Sequence, residues 1–297
     1  MKKNLYLRSL AKPLLSLPIF GRALRCWKIR RQFVIERQVL KGRHRNKCNH
    51  QSIVFFTIHK AGSSFIGSIM HKIVRESGLV PVDLDGYFFN LGKGKDWEVK
   101  GRNMGKIHYH NKGYFYGPFR SFHRGIRNLE DFKILLVLRD PRDVIVSSYF
   151  SLYSHVFPLG EGAKKQKQRM ERRKFLLNSD IDTYVIQKIK NRPNYMDRFD
   201  DYCSQLLGKP NVLFLKYEDM VFQFESWLDR LLDFFDLKIS PHLRREVLQL
   251  ADFSVDKENR YSHKRQVFPG DYRRKLKKET IAFLNAQTED ILHKLDY

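Results

Sequence analysis

This 297-residue chain is short of cysteines, of uninterrupted apolar runs and, relative to its bases, of acids. The three cysteines, Cys26, Cys48 and Cys203, are odd in number and fit no ligand spacing. They argue against a disulfide framework and read as ordinary thiols of a reducing, cytoplasmic compartment. No HExxH, paired CxxC or EF-hand loop occurs, so no metal requirement is suggested, and no internal repeat is visible. The GxxxxGK[ST] spacing of a Walker A loop is also missing, which makes ATP hydrolysis the weaker idea. The most apolar stretch near the start, Leu10 to Phe20, is broken by Lys12, Pro13 and Pro18 and closed by Arg22. It is too short and too interrupted for a membrane span, and it lacks the clean apolar core and cleavage site of a signal peptide.

The shortage of acids is uneven along the chain. Against 56 Lys and Arg stand 32 Asp and Glu, a net charge of +24. Residues 1–45 hold 13 of the bases and one acid, Glu36, and so carry half of the excess. This basic N-terminal extension, taken as residues 1–48, either lies on an anionic bilayer through Leu14, Leu15, Leu17, Ile19, Phe20 and Trp27, or forms a helix packed on the domain or a solvated tail. A second basic run, Lys164 to Lys174, has seven bases and Glu171. It either binds an acidic glycan or is a solvated helix face. No specific nucleic-acid contact is expected. Residues 49–297, with 42% hydrophobic and 13% aromatic content in the whole chain, suit one α/β domain with a real core.

Two segments carry the chemistry. Ser52 to Ile58 is an apolar strand, followed at once by His59-Lys60-Ala61-Gly62-Ser63-Ser64. Phe65, Ile66, Ile69, Met70, Ile73 and Val74 then recur at helical spacing. A strand, a short loop with Lys, Gly and hydroxyls, then a helix is the geometry that cradles phosphate on backbone N–H groups. Ile134 to Leu138 is a second buried strand, and Arg139-Asp140-Pro141-Arg142-Asp143 leads from it into a helix that carries Ser147. Asp140 reads as its N-cap and Pro141 as its first residue. A guanidinium, a hydroxyl and a helix N-terminus then surround one small volume suited to phosphate.

Strands are also expected over Leu79–Leu84, at the end of Lys106-Ile107-His108-Tyr109, and over Val212–Tyr217. Helices are expected over Asp140–His155, Ile181–Lys190, Tyr195–Leu207, Phe222–Phe235, Pro241–Leu250 and Lys277–Leu295, with a Gly-rich stretch from Gly86 to Gly105. The alternation implies an α/β, P-loop-like three-layer sandwich, a mainly parallel central sheet with helices on both faces. Ligands bind such sheets at the carboxyl ends of strands, where Lys60, His108, Arg139 and Tyr217 are expected. Tyr114, Phe115, Tyr116, Phe119 and Phe122 form an aromatic cluster that either lines an acceptor pocket or fills core.

His59 to Phe65 resembles the 5′-phosphosulfate loop of the sulfotransferase family, and Arg139 to Ser147 resembles its 3′-phosphate motif. Asn211 to Met220, with Tyr217-Glu218-Asp219-Met220, is similar to the family's YEDM strand end. Arg265 with Gly270-Asp271-Tyr272 is similar to its late RKGxxGDW loop, although Gln266 and Val267 stand where Lys and Gly are usual. His59 replaces the usual Pro, and Phe65 the usual Trp. The resemblance implies a sulfuryl donor, 3′-phosphoadenosine 5′-phosphosulfate, as co-substrate. It implies that Lys60 neutralises the leaving oxygen, and that Ala61, Gly62, Ser63 and Ser64 form the loop on the 5′-phosphate. It implies further that Arg139, Ser147 and Arg265 take the 3′-phosphate, that Phe65 and Phe253 stack on adenine, and that Tyr217 meets its edge. Lys106-Ile107-His108 resembles the segment carrying the family's catalytic His, which makes His108 the expected general base. His110, two residues on, or a carboxylate at Asp83 or Asp85 is the alternative. The acceptor is a small-molecule, lipid or glycan hydroxyl or amine. The rivals are a nucleotide kinase-like phosphotransferase on the same sheet and a non-catalytic polyanion- or membrane-binding protein.

Overall fold

A computed structural model describes residues 26–94, 97, 107–154, 167, 170, 171, 173, 174, 178–191, 196–253 and 266–297. Arg265, Lys106, residues 1–25 and part of the Lys164–Lys174 run lie outside these. A short helix, α1 (Val34–Leu40), leads to strand β1 (Ile53–Thr57), helix α2 (Ser63–Glu76), strand β2 (Val80–Val82), helix α3 (Leu84–Asn90) and strand β3 (Tyr114–Phe119). Strand β4 (Lys133–Leu138) is followed by α4 (Pro141–Ser154), α5 (Ile181–Lys190) and α6 (Asp197–Gln205). Strand β5 (Val212–Lys216) runs straight into α7 (Tyr217–Phe222), and α8 (Phe224–Phe235), α9 (Pro241–Leu250), α10 (Asp271–Lys275) and α11 (Lys278–Lys294) complete the order.

The five strands form one sheet in the order β2-β3-β1-β4-β5, and every neighbouring pair is parallel. The reason is legible in β1, whose five residues are all buried without a polar alternation. A strand of that kind needs cover on both faces, and parallel sheets receive it from their crossover helices. Val54 and Phe56 point into one core, with Phe199 and Tyr202 of α6, Ile291 of α11 and Val39 of α1. Ile53 and Phe55 point into the other, with Ile66, Ile69, Met70, Ile73 and Val74 of α2 and Trp227, Leu228 and Leu231 of α8. From Ile66 onward the apolar stripe of α2 is thus wholly buried, each side chain contributing roughly 1.5–3 kcal/mol.

Three expected elements move. Residues 107–110 are coil, and the strand is β3, six residues further on. The aromatic cluster is therefore core: Tyr114, Phe115, Tyr116, Phe119 and Phe122 are all buried. The stretch beginning at Gly86 holds α3, whose N-cap Asp83 accepts from Gly86 N at 2.7 Å. The expected 222–235 helix is two helices, α7 and α8, meeting at Gln223. In the described part of the N-terminal extension, Val39 enters the first core, Phe33 packs tilted against Tyr87 with ring centroids 5.6 Å apart, and Glu36 accepts from Asp83 N at 3.0 Å.

Candidate functional site

Strands β1, β4 and β5 end side by side. Thr57 lies opposite Val137, and Leu138 opposite Lys216. The segments beginning at Ile58, Arg139 and Tyr217 therefore leave from neighbouring tips. After β1 the chain crosses to β2 on one side of the sheet, and after β4 it proceeds to β5 on the other. Such a reversal opens a crevice at the carboxyl edge.

The β1–α2 loop is shaped by two left-handed residues, Lys60 (φ +73°) and Gly62 (φ +70°). At Gly62 a Cβ would stand 3.2 Å from Met220 Cε and from Tyr217 Cε2, so the position requires glycine for both conformation and space. Lys60 has no such freedom, and a left-handed non-glycine costs on the order of 1–3 kcal/mol, a strain typical of functional loops. Ala61 is fully buried beneath the turn, and Ser63 is buried while Ser64 is exposed. Ser63, Ser64 and Phe65, the first turn of α2, line the opening, where the helix N-terminus adds partial positive charge.

The β4–α4 turn is held by buried carboxylates. Asp140 Oδ1 accepts from Arg142 N at 2.8 Å, the cap expected from the sequence, and Asp140 also takes the Arg142 guanidinium. Arg139 is 3% exposed. Its guanidinium donates to Lys60 O at 3.1 Å and to Asp143 Oδ2 at 3.2 Å, and lies 4.4 Å over the Tyr217 ring. Its Nε is buried and has no partner. Burial alone would lower the affinity of Arg139 for its proton, but Tyr217, Asp143 and Glu218 together raise it. Asp143, fully buried, also accepts from Gly270 N at 2.8 Å and Tyr272 N at 3.0 Å. The late Gly270-Asp271-Tyr272 segment is thereby tied to the turn after β4.

One cleft of about 850 Å³ collects these pieces. Lys60, Gly62, Ser63 and Ser64 line it from the β1 tip, Arg139 and Ser147 from the β4 tip, and Tyr217 from β5. Phe65 and Phe253 line one end, with ring centroids 5.3 Å apart and Phe224 packed on both. Tyr217 differs from expectation in its use. Its hydroxyl donates to Val267 O at 2.8 Å and its ring carries Arg139, so it holds the wall together, and its phenol edge is already committed.

His108 and His110 are not in this cleft, which corrects the expected base. The 107–111 segment precedes β3, so it sits at the amino edge of a parallel sheet, across from the strand tips. There both histidines line a separate cleft with Arg127 and Asp131. The expectation failed because a strand was placed six residues early. Of the two carboxylate alternatives, Asp83 is spent capping α3, while Asp85 lines the Lys60 cleft. Asp85 Oδ1 accepts from Trp97 Nε1 at 2.8 Å and Oδ2 from Arg120 N at 2.9 Å. Burial pushes its carboxyl above the ordinary carboxylate value, against the pull of Arg120 and Trp97.

Arg120 was missed by sequence reading. It follows β3 directly, lines the cleft, and donates from Nε to Ser63 Oγ at 3.1 Å while its NH1 lies 3.8 Å from Asp85. It therefore links the phosphate-type loop to the carboxylate. Correct placement of β3 would have revealed it as a strand-end arginine, as Arg139 was.

Comparison with known proteins bears on this geometry. Residues 51–289 match the sulfotransferase domain family. The chain is 28% identical over 162 residues to the luciferin sulfotransferase of Photinus pyralis, covering 52% of this chain and 38% of that protein. It is 29% identical over 133 residues to sulfotransferase 2A2 of Rattus norvegicus, covering 44% and 41%. These matches thus span about two fifths of the length of the curated relatives. Among solved structures, mouse sulfotransferase SULT7A1 complexed with PAP superposes with a TM-score of 0.54 at 14% identity, over 86% of this chain and 89% of that one. A retinol dehydratase in complex with androsterone and inactive cofactor PAP gives the same TM-score, 0.54, and 14% identity, over 88% and 85%. At this identity the structural likeness concerns the fold.

Proposed function

Because this chain belongs to the sulfotransferase domain family, we propose that it transfers a sulfuryl group from 3′-phosphoadenosine 5′-phosphosulfate to an acceptor hydroxyl or amine. The observation that carries the proposal is that Lys60 with its glycine loop, and Arg139 with Ser147, line a single cleft. One further feature fits the donor: Arg139 keeps one buried N–H without a partner.

The donor, when bound, supplies an activated sulfonate. Lys60 and the α2 amides hold the 5′ side, and Lys60 stabilises the charge that develops on the leaving phosphate. Arg139 and Ser147 bind the 3′-phosphate, and the family resemblance adds Arg265, which lies outside the described residues. Phe65 and Phe253 flank adenine. Asp85 replaces His108 as general base. It lies in the cleft, its raised proton affinity brings it closer to neutrality, and Arg120 fixes its orientation beside the loop. Positioning of the two reactants supplies much of the remaining acceleration.

The acceptor occupies the end near Asp85, where Trp97 and Phe89 offer aromatic surface and Arg120 a cation. A small hydroxyl compound with an apolar body suits that wall, as the luciferin and androsterone in the names of the relatives suggest. Calorimetry provides the test: adenosine 3′,5′-bisphosphate is expected to bind well ahead of ATP without magnesium. Equal affinity for the two would defeat the donor assignment.

A second property has its own observation. Between residues 26 and 41 the buried side is Ile29, Phe33, Glu36 and Val39, while Trp27, Lys28, Arg30, Arg31 and Val34 are exposed. Trp27 is 52% exposed, with the Arg31 guanidinium 4.8 Å over its ring. This basic, tryptophan-bearing face suits an anionic lipid surface. No helix among the described residues is long and apolar enough to cross a membrane. Removing residues 1–25 and replacing Trp27 by Ala is expected to weaken binding to phosphatidylserine vesicles; unchanged binding would refute it. Truncation beyond residue 25 would confuse the result, since Phe33 and Val39 belong to the fold.

A further inference from the structure

The amino edge of the sheet has a concavity of its own, about 500 Å³, formed where the chain approaches β3 and β4. Its lining includes His108, His110, Asn111, Arg127, Asn128 and one acid, Asp131. His108 and His110 meet edge to face at 4.6 Å between ring centroids. Arg45, from the segment before β1, lies behind His110 and donates from NH1 to its Nε2 at 3.3 Å. A guanidinium has no lone pair to offer, so His110 must present Nε2 as acceptor and keep its proton on Nδ1. The other partners of that guanidinium nitrogen are the carbonyls of Gly42 and His44. Arg127 is exposed, and among the described residues no acid pairs with it, with Arg45 or with either histidine.

The result is two guanidiniums set beside imidazole and amide side chains. Burial lowers the proton affinity of His110, and His108, Arg45 and His44 lower it further. His44 is itself tied to Tyr114 through Nδ1 at 3.0 Å, and the neutral Tyr114 and Tyr116 hydroxyls complete the surroundings of His110. The main chain of Asp131 is fixed, its N–H on Asn128 O and its carbonyl on Gln51 Nε2, and its single charge does not balance the two arginines. Among the described residues neither guanidinium pairs with a carboxylate, and two amide side chains in the lining add neutral donors.

We propose that this amino-edge cleft binds an oxyanion, a phosphate or sulfate group, at a site separate from the cleft of Lys60. Arg127 and Arg45 supply charge-assisted donors, His110 Nδ1 and the His108 ring supply imidazole donors, and Asn111 and Asn128 complete the shell. The anion is either free or the ester end of a larger molecule. The two sheet edges thus recognise similar chemistry by different means: helix-terminus amides at one, a histidine–arginine cluster at the other. The site stands whether or not the carboxyl-edge cleft takes the sulfuryl donor.

Titration of the intact chain, its first cleft saturated with adenosine 3′,5′-bisphosphate, provides the test. Inorganic phosphate, sulfate and phenyl phosphate are added in turn while the imidazole resonances of His108 and His110 are followed by NMR. Saturable shifts of both rings are expected, with affinity falling at least about tenfold, equivalent to ~1.4 kcal/mol, in Arg127→Glu and in Arg45→Ala. The bisphosphate affinity of both variants should equal that of the parent. Tighter phenyl phosphate than inorganic phosphate identifies an ester ligand, and the reverse a free anion. Linear, non-saturating shifts, or equal affinities in parent and Arg127→Glu, would overturn the site.

Discussion

The two edges of the sheet use nearly the same side chains to opposite effect. At the carboxyl edge, Arg139 is buried against Asp143, Arg142 against Asp140, and Arg120 beside Asp85, so each cation has a carboxylate that fixes it. At the amino edge, Arg45 and Arg127 are exposed, and Arg45 leans on a histidine and on carbonyls. The difference is one of backbone. Parallel strands deliver helix N-termini, with their free N–H groups, to the carboxyl edge only. Buried carboxylates there orient a few cations and leave the helix to supply the rest. A lesson follows for reading parallel α/β chains: a cation's worth to a phosphate site depends on which edge its strand points to.

Breaking the carboxyl edge should be far more damaging than breaking the amino edge. Lys60→Ala is expected to cut turnover by about 10³-fold or more with the fold retained, a magnitude typical of a lost transition-state donor; steady-state assay with circular dichroism decides it. Asp85→Asn should lower kcat by about 10²–10⁴-fold, the usual worth of a general base. Its pH profile sharpens the assignment. Asp85 must be ionised to accept a proton, and burial raises its proton affinity. Activity should therefore fall on acidification through a pH above the ordinary Asp value of about 3.9. An acid limb at or below that value would argue against Asp85.

Asp143→Ala removes the partner of Arg139 and the anchor of Gly270 and Tyr272, leaving a buried charge uncompensated. A loss of about 3–5 kcal/mol in denaturant unfolding is expected, with bisphosphate binding weakened in parallel. Gly62→Ala forces a Cβ against Met220 and Tyr217 at a left-handed position. It should cost about 1–3 kcal/mol and reduce donor affinity. Smallest of all, His108→Ala should leave kcat within about threefold, since the ring lies in the other cleft. A loss of several hundredfold there would place the base back on the histidine and reverse the contrast between the edges.

How far the sequence reached can be followed residue by residue. The helix of α2 was legible because its buried stripe repeats at helical spacing, and its loop because glycine and hydroxyls follow a strand. The cap at Asp140 and the Pro141 start were legible because caps are local chemistry. The strand near residue 107 was misplaced because Lys106 to Tyr109 mimics a motif, while the true strand, Tyr114–Phe119, is aromatic and contains Gly117 and Pro118, residues that usually discourage a strand. That one displacement put His108 at the wrong edge and hid Arg120.

By itself the chain determined that Ile53–Thr57 and Lys133–Leu138 are strands buried on both faces, where two phosphate-type loops begin, and that bases outnumber acids, because periodicity, turn chemistry and charge are all properties of neighbouring residues. Only the tertiary structure decided that Asp143 holds the late loop to Arg139 across 127 residues to Gly270, that Arg120 joins Ser63 to Asp85, and that the histidines gather on the far side. Strand order and direction fix those meetings, and both arise from packing between segments distant in sequence, which no local pattern encodes.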